Sequence, residues 1–354
     1  MTVYSQMKIF HYPDKLKSLP ESVDEVLPPV HIRIKPTNLC AHHCSYCAYK
    51  APELELGKDM SEKDFIPGEK MMEIIDDIEA MGVRAVTFSG GGDPFYYPHL
   101  AEAVRKLSAT GISFAALTNG ARLKGEIAQL FASAGSWIRV SIDGWDDKSY
   151  SEYRGIKEGE FSAVIDNILA FGKLPGPCHL GAVMVVDRKN AGHVYELVSI
   201  LRDAGADSVK ISPCIVSNDG LENNKYHEPI FNEVKRATQR VKEELGGPGF
   251  EIFDSYHLLD TKFDKDYSWC PSLQTVPVIG ADQNVYTCHD KAYTPSGLLG
   301  SIRDIGFAKF WLADKNRFFA IDPSAHCNHH CVENNKIKLV LDYLGADNDH
   351  LAFV

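Results

Sequence analysis

Between residues 31 and 245 short apolar runs alternate with amphipathic stretches, and this alternation constrains the fold more than any other feature. "HIRIKP" (31–36) reads as a strand. "GEKMMEIIDDIEAMG" (68–82) carries apolar residues at helical spacing and ends in Gly82, which suits a helix C-terminus. "AVTFSGGG" (85–92), "SFAALTNG", "WIRVSIDG", "HLGAVMVV" and "SVKISPC" predict five more strands, with helical stretches between them. A last helix is predicted over 228–246. Strands separated by helices pair in parallel through right-handed crossovers. Six such units are too few for a closed eight-unit barrel. They suit a doubly wound α/β sheet or an open partial barrel, and both bind ligands at the C-terminal ends of the strands.

The unusual residues fall at those ends. Three cysteines follow the first strand, "SGGGDP" the second, "TNG" the third and "SIDG" the fourth. After residue 246 the character of the chain changes. "GGPGF" reads as a hinge, and from about 266 the segments are short and turn-rich. The expected organisation is an N-terminal extension (1–30), a barrel (31–245), a linker (246–265), a small cysteine-rich domain (266–332) and a tail with a short helix (333–354).

The net charge of −11 argues against nucleic acid as the main partner, because phosphate binding needs clustered Lys and Arg. The first residues hold no run of signal-peptide length, and no stretch approaches the ~20 apolar residues of a membrane span. A cytoplasmic protein without a membrane partner is expected. Disulfides are rare in that compartment, so the nine cysteines need another explanation.

Cys40, Cys44 and Cys47 lie within "CAHHCSYC". Thiolates this close can converge on one metal centre. Zinc wants four ligands, and His42 or His43 would supply the fourth. An iron–sulfur cluster of four irons normally takes four cysteines, so three leave one iron open to bind something else.

The C-x3-C-x2-C spacing, with Tyr46 before the last cysteine, resembles the signature of the radical S-adenosylmethionine (SAM) superfamily. "FSGGGDP" resembles that family's glycine motif, with Asp93 where Glu is usual. "LTNG" and "VSIDGWDDKSYSEYRG" resemble family segments at the matching strands, and "GAVMVV" fits the strand that borders the adenine. The resemblance covers about 31–245. It implies a partial (β/α)6 TIM-like barrel and a SAM-binding 4Fe–4S cluster on Cys40, Cys44 and Cys47. It implies cofactor contacts from Tyr46, Gly90, Gly91, Gly92, Asp93, Asn119, Ser141, Asp143, Arg154 and Val183. Arg154 is expected to pair with the carboxylate of the cofactor's methionine, with a surface ion pair as the alternative. The implied chemistry is reductive cleavage of SAM and hydrogen-atom abstraction from substrate, with an electron from a flavodoxin- or ferredoxin-type reductant.

Cys270, Cys288, Cys327 and Cys331 follow the barrel. Four thiolates suit either zinc or a complete cubane. Their arrangement, with "VYTC" and "LLGSIRDIGFAKFW", resembles the twitch domain, a short form of the SPASM extension, and implies an auxiliary 4Fe–4S cluster. His329 and His330 are read as loop residues or as residues that back the cysteines, and His289 and Asp290, next after Cys288, are candidates to face substrate. Cys178 is read as a core thiol. Cys214, at the end of the sixth strand, is read as a core thiol too, with a hydrogen-atom donor of the kind an epimerase uses as the sharper alternative. The expected substrate is small and polar (a sugar, aminoglycoside or nucleotide), with dehydrogenation or epimerisation as the outcome. A peptide or protein maturase is the alternative. A non-enzymatic zinc or iron–sulfur scaffold is the alternative of another class.

Overall fold

The computed structural model describes residues 4–352. Seven strands follow one another in sequence: β1 (His31–Ile34), β2 (Ala85–Phe88), β3 (Ser113–Thr118), β4 (Trp137–Ser141), β5 (His179–Val186), β6 (Ser208–Pro213) and β7 (Glu251–Asp254). All pair in parallel, each with the next in sequence. A doubly wound sheet reverses its order once, which puts helices on both faces. This order never reverses. Right-handed crossovers therefore place every helix on the same face, and the sheet curls into a partial barrel. The α/β partial barrel expected from the sequence is the fold observed.

The local physics is simple. Along each strand alternate residues point to opposite faces. Ile32, Ile34, Val86, Phe88, Ile138, Val140, Leu180, Met184, Val209 and Ile211 are all at most 2% exposed and form one core with the helices. Helix Gly68–Met81 contributes Met71, Ile74, Ile75 and Ile78 to that core and ends at Gly82 in the left-handed conformation (φ 77°), as its sequence predicts. Most of the intervening strand positions are polar or small, with Leu117, Trp137, Val183 and Val185 as exceptions. His31, Arg33, Thr87, Arg139, Lys210 and Ser212 line a cavity of about 690 Å³ inside the barrel.

The segment expected as a linker (246–265) holds β7, which adds a seventh parallel strand. The cysteine-rich segment supplies three more: β8 (Val278–Ile279), β9 (Asn284–Tyr286) and β10 (Leu298–Ser301). β8 pairs in parallel with β1, at Arg33↔Val278 and Ile34↔Ile279, and β9 and β10 follow antiparallel. A single ten-stranded sheet therefore joins the two regions. At the other end of the barrel Tyr4 stacks on Phe253 at 4.5 Å and its hydroxyl meets Ser208 Oγ at 3.2 Å. Leu16 and Leu19 pack on Val340 of the helix Asn334–Gly345. Among the described residues no helix is long and apolar enough to cross a membrane.

Candidate active site

The loop after β1 carries Cys40, Cys44 and Cys47, all free thiols and all partly exposed. The end of helix Asp147–Arg154 fixes the loop. His43 N donates to Arg154 O (2.8 Å) and Ser45 N to Tyr153 O (3.0 Å). Cys47 N closes a turn on Cys44 O (3.1 Å). The thiols are met by donors rather than acceptors: His42 N lies 3.4 Å from Cys40 Sγ, Asn119 Nδ2 3.9 Å from the same sulfur, and Arg154 Nη1 3.5 Å from Cys44 Sγ. Burial pushes the Cys40 thiol up to about 11 and raises Cys44 as well. A metal centre removes that cost by replacing the proton, and N–H donors aimed at sulfur favour the thiolate form. Three soft donors on one loop, two of them met by N–H groups, fit an iron–sulfur cluster.

The glycine turn after β2 lies directly against this loop. A Cβ on Gly92 would sit 2.2 Å from Leu39 O, and one on Gly91 2.2 Å from Met60 Sδ. A Cβ on Gly90 would meet Gly92 O at 1.6 Å. Only glycine permits these approaches. Asp93 turns away from the turn's open side. Its carboxylate accepts from Phe95 N (2.8 Å), Thr118 Oγ1 (2.9 Å) and Asn119 N (2.6 Å), so it ties the glycine turn to the end of β3. Asn119 bridges that end to Cys40 Sγ.

Arg154 is 3% exposed. The carboxylate it pairs with is Asp143 (Nη2···Oδ1 3.0 Å), and the same nitrogen donates to Ser141 O (2.7 Å). Tyr46 OH donates to the other Asp143 oxygen. One polar knot thus links the cysteine loop, the end of β4 and the helix that follows. Val183 pairs with Ser141 across β4 and β5, and its carbonyl accepts from Ile142 N (2.9 Å). His42 is buried and bonded to Glu160 (2.7 Å), while its Nδ1 has no partner among the described residues.

Lys35 escaped the sequence reading. It is fully buried after β1, donates to Gly90 O (3.1 Å) and to Tyr49 OH, and lies 3.4 Å from His289 Nδ1. A lysine just past a strand that leads into a cysteine loop was the available signal.

Four cysteines distant in sequence, Cys270, Cys288, Cys327 and Cys331, line one small cavity of about 40 Å³. Cys270 and Cys331 are buried. Lys265 and Lys291 line the same space and are themselves buried. A cubane held by four thiolates would carry net negative charge, which the buried Lys265 ammonium would offset, and Lys291 in part, because Glu55 lies 3.6 Å from its Nζ. The donor set therefore fits a four-iron cluster. His289 and Asp290 line both this cavity and the barrel cavity. Asp290 Oδ2 accepts from Val332 N (3.0 Å), which ties the Cys288 segment to the Cys331 segment. His329 and His330 also line the barrel cavity. Cys214 is buried beyond the end of β6 and is not part of the barrel-cavity wall, although Pro213 and Ile215 are. Cys178 lies just before β5 and packs on the main core.

Residues 34–190 match the family model described as Radical SAM superfamily. The chain is 23% identical over 290 residues to PqqA peptide cyclase of Gluconobacter oxydans, covering 80% of this chain and 76% of that protein. It is 26% identical over 255 residues to dTDP-4-amino-4,6-dideoxy-D-glucose ammonia-lyase of Streptomyces venezuelae, covering 65% of this chain and 49% of that protein. The structure of Streptococcus suis SuiB bound to precursor peptide SuiA superposes with a TM-score of 0.64 at 14% identity, covering 90% of this chain and 72% of that one. The family match begins on the last residue of β1 and ends past β5, across the strands whose ends carry the three thiols and the glycine turn; residues 34–190 of this chain match the radical SAM superfamily.

Proposed function

We propose that Cys40, Cys44 and Cys47 hold a 4Fe–4S cluster with SAM, that Cys270, Cys288, Cys327 and Cys331 hold a second, and that the substrate is a peptide. When bound, the first cluster and SAM supply hydrogen-atom abstraction, driven by an electron from a flavodoxin- or ferredoxin-type reductant. The chain's own residues prepare the place. Gly90, Gly91 and Gly92 let the backbone approach the cysteine loop closely. Arg154 and Asp143 hold that loop against the sheet. The barrel wall keeps water from the reacting atoms.

The sequence alone favoured a small polar substrate. The relatives weigh toward a peptide, because the alignment to the peptide cyclase extends over 80% of this chain and that to the sugar ammonia-lyase over 65%. The carrying observation is that four remote cysteines converge on one cavity that shares His289 and Asp290 with the barrel lumen. A second cluster there would accept an electron from substrate, which supports oxidation over epimerisation. The small polar substrate stands as the second reading, favoured by the lumen cavity, whose about 690 Å³ lies in the range of small-molecule sites.

The test is anaerobic reconstitution followed by incubation with dithionite, SAM and a peptide encoded beside the gene. The expected outcome is 5′-deoxyadenosine together with a peptide lighter by two hydrogens, both lost in Cys44→Ala. About eight irons per chain accompany two cubanes. One or two zincs and no iron would overturn the enzyme reading. An unchanged peptide beside a converted nucleotide sugar would favour the second reading.

A further inference from the structure

The protein carries a net charge of −11, yet the wall of its barrel cavity is basic. Lys8, Arg33, Arg139, Lys210, Lys262 and Lys336 line it. Among the described residues of the wall, Asp290 and Glu333 are the acids that oppose them. Lys336 is engaged by Glu333, and Lys262 Nζ lies 3.3 Å from Val332 O. Lys8 is engaged as well, which leaves Arg33, Arg139 and Lys210. They come from β1, β4 and β6 and point into the same lumen. Among the described residues none of the three has a salt bridge or a side-chain hydrogen bond. Arg139 is held in place by ring faces instead, its guanidinium 5.0 Å from the Tyr4 ring and 5.1 Å from the Trp137 ring. Its Nε is shut off from water with no partner, and so is Ser212 Oγ on the same wall. Gly181 stands opposite Arg139 in the β4–β5 pair, and a Cβ there would crowd Ser208 Oγ at 3.0 Å.

Half-buried cations brought together in excess of the acids that face them, here Asp290 and Glu333, are costly. Lys210 shows the strain: burial first, then Arg139, Lys262 and Arg33, pushes its pKa down to about 8. An arrangement of this kind is stable when an anion completes it. Arg forks bind the two oxygens of a carboxylate or phosphate side by side, and a desolvated wall strengthens each contact.

We infer that Arg33, Arg139 and Lys210 form an oxyanion site in the barrel lumen that binds a carboxylate or phosphate group of the substrate. The inference rests on the reading above that the lumen holds substrate. A peptide offers an acidic side chain or its C-terminal carboxylate, and a nucleotide sugar offers its diphosphate.

The experiment uses the full chain with its clusters, purified without air. Two probes are titrated, N-acetylglutamate amide and inorganic pyrophosphate, with N-acetylglutamine amide as the uncharged control. Calorimetry reads affinity, and the unfolding midpoint reads linkage. At least one anion should bind and raise the midpoint, and the control should do neither. Arg139→Gln and Lys210→Met should each weaken that anion about tenfold or more. Lys210→Met keeps the bulk of the side chain, and without anion it should raise the midpoint because a repulsion is gone. Lys148→Met removes an exposed cation outside the cavity and should bind the anion as the unaltered chain does. Tighter glutamate binding assigns the site to a peptide carboxylate, and tighter pyrophosphate binding to a nucleotide. Binding of neither anion, or an equal loss in Lys148→Met, overturns the site. If anions bind but no 5′-deoxyadenosine ever forms, the site stands and the radical reading fails. Normal 5′-deoxyadenosine with no anion bound means the reverse.

Discussion

Arg154 and Asp143 meet at 3.0 Å with side chains 4% and 0% exposed, and this pair holds the cysteine loop to the end of β4. Breaking a buried pair by removing one partner costs about 3–5 kcal/mol, because the other charge is left buried and alone. Arg154→Met should lose stability of that order in denaturant unfolding. Replacing Asp143 with Asn on the same background should recover part of it. The single variant should also hold less iron at the first site, since Cys44 Sγ loses its N–H donor.

Much of this was legible in the sequence. Six strands follow from apolar runs that alternate with helical stretches, because one face of each strand packs under helices. The seventh strand, "EIFD" (251–254), was not legible: it is short, carries two acids, has no fully buried residue and follows the "GGPGF" turn. Nor was β8, two residues long, whose partner β1 lies more than two hundred positions away. At the site, spacing alone flagged Cys40, Cys44 and Cys47. The Arg154–Asp143 pair depends on how a helix turns back over its strand, which spacing does not encode. The lumen cations left a usable signal. "HIRIKP", "WIRVSIDG" and "SVKISPC" each set a cation between apolar neighbours, and alternation puts those cations on the face away from the helices.

The second set of thiols should work independently of the first. A protein with Cys40, Cys44 and Cys47 all changed to Ala, reconstituted without air, should retain about four irons. Iron near zero with the protein folded would remove Cys270, Cys288, Cys327 and Cys331 as cluster ligands.

Gly92→Ala tests the contact between the glycine turn and the cysteine loop. The new methyl would meet backbone, Leu39 O at 2.2 Å and Asn38 C at 2.4 Å, and backbone yields little. Overpacking of this kind costs about 1–3 kcal/mol. The first site should lose iron and SAM cleavage while about four irons stay at the second. Unchanged SAM affinity, measured by equilibrium binding, would show that the two segments are not coupled.

Lys15 gives the fold a pH dependence that can be read away from the metal sites. It is 5% exposed and donates to Leu27 O at 2.7 Å. Burial, then Lys315, lowers its pKa to about 7 from 10.5. Below pH 7 both folded and unfolded chains hold the proton, and the folded state bears the full cost of the buried charge. Between about 7 and 10.5 the unfolded chain binds more protons than the folded one, so stability rises with pH across that window. Unfolding midpoints of the native chain and of Lys15→Met, compared across that window, should converge as pH rises. A constant gap would mean that Lys15 does not titrate there.

Cys214 decides between the two exits open to a substrate radical. Loss of an electron and a proton gives an oxidised product, and capture of a hydrogen atom from a thiol gives an epimer. The second exit needs the thiol beside the substrate. Burial pushes the Cys214 thiol up to about 12, but a hydrogen-atom donor works as a neutral thiol, so its location carries the argument. Its amide donates to Val186 O (2.9 Å), its carbonyl accepts from His227 (2.8 Å), and the residue lies outside the lumen wall. Native protein should therefore resist alkylation at Cys214 until it is unfolded. Cys214→Ala should cost about 1 kcal/mol and give the same product as the native chain. In D2O the reacting carbon should carry no solvent deuterium. One deuterium there, lost in Cys214→Ala, would place the thiol against the substrate and make the reaction an epimerisation.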